Sequence, residues 1–192
     1  MKIGLYFGTF NPIHIGHLAI ANHMAEYSDL DKIWMVITPH NPFKKKSSLL
    51  DNNHRYQMVL EALETYDKIA PSNIEFNLPQ PNYTVYTLAH LEEKYPQHEF
   101  CLIMGEDNLK SLHKWKNYEV ILERHDIYVY PRISEGTVET QFDNHSKIHK
   151  VDAPIMEISS TMIRKAIEDG KNIRPLLPPE VHTYIDQMNF YK

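Results

Sequence analysis

Two histidines three residues apart, His14 and His17, stand where an apolar run gives way to a helical pattern. The run is Ile3-Gly4-Leu5-Tyr6-Phe7. It breaks at Gly8, turns through Asn11-Pro12, and turns helical at about Gly16. A strand that ends in a glycine turn and feeds a helix presents backbone N–H groups to phosphate. Imidazoles at that junction add proton-bearing donors for the same anion, so the chemistry indicated is that of a nucleotide triphosphate. The backbone amides of Thr9 and Phe10, in the turn after Gly8, are candidates for the same contacts. An HxxH pair is also a fragment of a zinc site, but zinc needs a third and fourth ligand. No Cys or His lies at matching short spacing, so no metal ligand is assigned.

These residues need a frame to hold them. Ile33-Trp34-Met35-Val36-Ile37 and Phe100-Cys101-Leu102-Ile103-Met104 are unbroken apolar runs, as in strands covered on both faces. Ile127–Tyr130 is a further strand, 147–151 a short one, and the alternation over Ile74–Leu78 predicts another. Helices are predicted over 17–27, 53–66, 84–95, 107–123 with a break near Asn117, 159–169, and from Pro178-Pro179 onward. In 53–66 the apolar face reads Tyr56, Val59, Leu60 and Leu63. Residues 132–147 are polar and read as loop. Strands alternating with helices predict an α/β fold, a single Rossmann-like domain with a mostly parallel sheet flanked by helices. It spans 1–192, with a helical portion from about 159.

Ligands of such sheets bind at the carboxyl ends of the strands. Gly8, Lys44 in HNPFKKK, Gly105 with Asp107, and Arg132 all follow predicted strands. Ser159, Ser160 and Thr161 open a later helix, where unpaired N–H groups and the helix dipole favour phosphate, and Arg164 lies one turn on. Glycine at 105 lets a nucleotide approach the backbone, and Asp107 can accept from ribose hydroxyls. Lys44 reads either as a phosphate ligand or as part of a solvated loop, and Arg55 either braces the site or caps structure. Thr84 has the chemistry of a helix N-cap as well as of a ligand contact. Trp115, between Lys114 and Lys116, can stack an aromatic ring or pack in the core.

The chain has 192 residues, 42% of them hydrophobic, enough for one core. A net charge of −5 supplies no global field for nucleic acid. Cys101 is the single cysteine, so no intrachain disulfide can form, which suits the cytoplasm. No run approaches a membrane span, and no signal-peptide layout opens the chain. Walker A, GxGxxG and GxSxG patterns are lacking, which weakens kinase, dehydrogenase and hydrolase readings.

GTFNPIHIGH resembles the GxFxPxHxGH signature of the nucleotidyltransferase superfamily, and ISSTMIR resembles its ISSTxIR motif. NYTVYTL, MGED with KWKN, and IRPLLPPEVHTYI narrow the resemblance to the bacterial nicotinate-nucleotide adenylyltransferases. That resemblance implies transfer of AMP from ATP, with Mg²⁺, to nicotinate mononucleotide, giving deamido-NAD and pyrophosphate. It implies that His14, His17, Lys44 and Arg164 serve the phosphates. Gly8, Thr9, Phe10, Gly105, Asp107, Ser159, Ser160 and Thr161 would join them around ATP. By the same resemblance Thr84 meets the nicotinate carboxylate, Trp115 stacks the pyridine ring, and Arg132 lies near the nucleotide phosphates. Phe7, Asn11 and Tyr86 depart from the family pattern, which often has Gly, Asp and Asp there. The partners expected are ATP and nicotinate mononucleotide, with no nucleic acid and no membrane; a homo-oligomer is compatible with the sequence. The rivals are nicotinamide-nucleotide and phosphopantetheine adenylyltransferases and a non-catalytic nucleotide-binding protein.

Overall fold

The computed structural model describes residues 1–39, 49–132 and 140–192. Among these, six strands form one sheet: β1 (Lys2–Gly8), β2 (Lys32–Ile37), β3 (Ile69–Ser72), β4 (Glu99–Gly105), β5 (Ile127–Tyr130) and β6 (Ile148–Lys150). All neighbours are parallel, in the order β3-β2-β1-β4-β5-β6. The helices are α1 (Ile15–Tyr27), α2 (Asn52–Ala62), α3 (Thr84–Lys94), α4 (Glu106–Ser111), α5 (Tyr118–Arg124), α6 (Ser160–Glu168) and α7 (Pro179–Met188). None of the described helices is long and apolar enough to cross a membrane.

Strand periodicity divides the core in two. Tyr6, Ile33, Met35, Cys101, Ile103 and Tyr128 face a cluster with α1, α2, α6 and α7. Ile3, Leu5, Val36, Leu102, Met104 and Val129 face a second cluster with α3, α4 and α5. Two buried faces explain the unbroken apolar runs of β2 and β4. The strand order reverses beside β1, so its carboxyl end and that of β4 bound the crevice where such sheets take ligands.

Two expectations are corrected, and one break is found where it was expected. Ile74–Asn77 is a 3₁₀ turn, not a strand; the strand is β3, five residues earlier. β3 contains Pro71, and as an edge strand it can spare that N–H. The helical stretch over 107–123 has its break near Asn117, as expected: α4 and a 3₁₀ turn at Leu112–Lys114 precede Asn117, which adopts φ 50°, and α5 follows. The inward face of α2 is Arg55, Met58, Val59 and Ala62, while Leu60 is 42% exposed.

Candidate active site

The β1–α1 junction is built around two stacked imidazoles. The His14 and His17 rings lie 3.7 Å apart at 26°. His14 is the N-cap of α1, and its backbone N–H donates to His17 Nδ1 at 3.3 Å. An acceptor at Nδ1 places the His17 proton on Nε2 when the ring is neutral. The His14 side chain is buried, and its Nδ1 has no hydrogen-bond partner among the described residues. Burial, with the Arg132 guanidinium facing it, lowers the His14 pKa to about 4. His14 is therefore neutral at pH 7.

Phe10 sits beneath this pair. Its backbone is left-handed (φ 44°), a conformation costing about 1 kcal/mol or more for a residue with a Cβ. Burial of its ring, edge-on to His17 at 5.0 Å, holds it there. A Cβ on Gly8 would come within 2.7 Å of the Phe10 ring, so glycine is required. The Phe10 side chain is thus core, and only its backbone remains for a ligand.

Arg55 braces the loops from below. It is fully buried, and its guanidinium donates to the carbonyls of Thr9, Thr38, Pro39 and Leu50 and to Asn52 Oδ1. These bonds tie the ends of β1 and β2 to α2. Desolvation lowers its pKa to about 10, which leaves it charged at neutral pH.

The start of α6 docks on the same turn. Ser159 is the N-cap, its hydroxyl accepting from Met162 N–H at 3.2 Å. Ser160 Oγ donates to the Pro12 carbonyl at 2.9 Å, and Arg164 donates to the Asn11 carbonyl at 2.8 Å and to Thr161 Oγ1 at 3.3 Å. The ISSTMIR hydroxyls are therefore largely engaged in positioning, and the amides of the first helical turn are what faces outward. Asn11 Oδ1 also accepts from Tyr191 at 2.7 Å and from Leu50 N–H at 3.3 Å.

Across the crevice, Gly105 ends β4. A Cβ there would collide with the Asp107 carboxylate and lie 3.2 Å from Arg132. Arg132 Nε stands 3.8 Å from Asp107 Oδ1, and its guanidinium covers the Tyr130 ring at 5.5 Å. Its charge, acting on His14, links this side to the imidazole pair.

Trp115 and Thr84 form a third group. Thr84 is the first residue of α3, behind Tyr83 as N-cap, so Thr84 is not itself the cap. The Lys116 ammonium lies 4.6 Å from the Tyr83 ring and 4.8 Å from the Tyr86 ring, bringing the KWKN turn onto this helix start. A pocket of about 290 Å³ opens beside it, lined by Leu78, Pro79, Asn82, Tyr83, Tyr86 and Thr87. Trp115 is half-buried, packed against the second core cluster. Lys44 lies outside the described residues. Glu75, buried behind α3, was not singled out by the sequence; the only signal was an acid inside an apolar alternation.

A cytidylyltransferase-like family model matches residues 5–166. A Flavobacterium johnsoniae protein described as "Probable nicotinate-nucleotide adenylyltransferase" is 71% identical over 192 residues, covering 100% of both chains. A Christiangramia forsetii protein of the same description is 70% identical, covering 100% of this chain and 98% of its own. Among solved structures, the Plasmodium falciparum nicotinic acid mononucleotide adenylyltransferase complexed with NaAD superimposes with a TM-score of 0.83. It covers 99% of this chain and 97% of its own, and at 21% identity it speaks for the fold. The chain belongs to the nicotinate-nucleotide adenylyltransferase family of cytidylyltransferase-like proteins.

Proposed function

We propose that this protein is an adenylyltransferase that joins nicotinate mononucleotide to the AMP moiety of ATP, in NAD biosynthesis. A phosphate oxygen of the mononucleotide attacks the α-phosphorus of ATP. The new P–O bond forms as the α–β bridging bond breaks, giving nicotinate adenine dinucleotide (deamido-NAD) and pyrophosphate. The nucleophile is already ionised, so no strong general base is needed. Catalysis rests on aligning two polyanions and stabilising charge on the α-phosphate and the leaving group.

The observation that carries this reading is the stacked His14–His17 pair at a helix start, docked by Ser160 and Arg164 of a second helix start. Two helix N-termini, imidazole donors and the guanidinium of Arg132 or Arg164 converge there on a site for phosphate. We assign His17, through Nε2–H, and neutral His14 to the phosphates, with Lys44 and Arg164 as cations beside them. Gly8, Thr9, Phe10, Ser159, Ser160 and Thr161 shape the turn amides around ATP. Gly105 and Asp107 take the ribose. Thr84, Trp115 and Arg132 hold the mononucleotide.

We infer that any divalent cation arrives on the nucleotide rather than being held by carboxylates of the chain. Among the described residues the one trio with metal-ligand spacing is Glu99, Cys101 and Asp126, at the opposite, amino-terminal end of the strands. Mg²⁺ on the triphosphate oxygens would neutralise their charge, while the protein supplies hydrogen bonds. We take residues 1–192 as one catalytic unit acting in the cytoplasm, in keeping with a buried free Cys101.

The test is pyrophosphate release from ATP and Mg²⁺ with nicotinate mononucleotide and nicotinamide mononucleotide in parallel. Preference for the acid supports the reading. Equal rates make it a dual enzyme, and silence with both refutes it, turning attention to phosphopantetheine and to binding without catalysis.

A further inference from the structure

The 3₁₀ turn after β3 buries a carboxyl group. Glu75 is 2% exposed, and its Oε1 accepts from Thr87 Oγ1 at 2.7 Å. The Thr38 hydroxyl also faces this carboxyl, while Oε2 makes no well-formed hydrogen bond among the described residues. The backbone carbonyl of Glu75 accepts from Asn82 Nδ2 at 3.2 Å. One residue thus grips both ends of the Asn82–Thr87 segment, which lines the pocket and bears Thr84. Thr38, on the other side, has its N–H on the Gly8 carbonyl at 2.9 Å. Glu75 therefore lies between the imidazole turn and the start of α3.

We propose that Glu75 is a positioning residue for the mononucleotide subsite, its carboxyl and carbonyl together fixing the first turn of α3 so that Thr84 meets the nicotinate carboxylate. The inference rests on the function proposed above. An acid is costly to bury, and an apolar residue would serve the core alone better. Only a side chain that both fills the space and accepts from Thr87 sets the rotation of α3. Burial raises the Glu75 pKa, favouring the neutral acid, which puts no negative charge behind a site for an anion.

The experiment compares wild type, Glu75→Ala, Glu75→Gln and Thr87→Val, with KM for each substrate measured at saturating levels of the other. Calorimetric titration with nicotinate mononucleotide alone and thermal unfolding accompany it. Loss of one positioning hydrogen bond should raise the mononucleotide KM about 10-fold in Glu75→Ala, with KM for ATP within about twofold. Glu75→Gln, which retains the acceptor, should recover to within about threefold of wild type. Thr87→Val should share the mononucleotide defect and stands in if Glu75→Ala does not fold. A mononucleotide KM unchanged in a folded variant overturns the proposal. So does a rise in both KM values together, or a loss that only follows the unfolded fraction. Wild type is the control: its failure to use nicotinate mononucleotide refutes the functional reading itself, whereas an active wild type with unaffected variants refutes the role of Glu75 alone.

Discussion

Acidification should destabilise this protein through His14, and the size of the effect follows from its surroundings. The ring is 3% exposed and stacked on His17; burial first, and then the Arg132 charge, bring its pKa from 6.5 to about 4. In the unfolded chain the imidazole takes a proton as pH falls through about 6.5; in the native fold it resists until about 4. The unfolded state therefore binds more protons in between, and stability falls with pH across that window. Linkage with these two values gives a loss of about 2 kcal/mol between pH 7 and pH 5 from this group. The assay is urea unfolding at closely spaced pH values for wild type and His14→Asn. The variant should lack about 2 kcal/mol of the acid-induced loss, whatever its stability at pH 7.5. Parallel loss in the two proteins would refute the buried, neutral imidazole.

Other outcomes follow from the same geometry. His17→Ala should fold normally but lose about 10²–10³ in kcat, the usual effect of removing a donor to developing charge; near-normal turnover would dismiss that role. Trp115→Ala should mainly raise the KM for nicotinate mononucleotide with ATP saturating, and an unchanged KM would count against ring stacking. Arg55→Ala should destabilise by about 3–5 kcal/mol, because it strands several buried carbonyls. Urea unfolding measures it, and a loss under 1 kcal/mol would show that water replaces the guanidinium.

What was legible in the sequence was local. Gly8, His14 and His17 sit at a strand–turn–helix junction, and Ser159 caps α6 as its type suggests. What was not legible depends on distant partners. The periodicity of α2 hides a fully buried arginine, because Arg55 is satisfied mainly by carbonyls outside its helix, at Thr9, Thr38, Pro39 and Leu50, with Asn52 of α2 adding one acceptor. Alternation at Ile74–Leu78 mimicked a strand, whereas the true edge strand carries a proline that argues against one. Phe10 read as a turn amide, yet its side chain is what supports the imidazoles. Ser160 and Arg164 were legible as members of a phosphate motif, but not as the groups that lock the first turn in place.

That lock has a consequence for assembly. Asn11 and Pro12 are held by Ser160, Arg164 and Tyr191, groups made 148, 153 and 180 residues later along the chain. The central strands can pair while the first motif still lacks these three contacts and has only Leu50 and Arg55 against it, since β1, β2 and β4 all precede residue 106. Emergence from the ribosome is therefore uncoupled from competence: a nascent sheet already carries both histidines, but the turn between them and Gly8 lacks its clasp. Opening α6 and α7 in the mature protein would return it to that condition without melting the sheet.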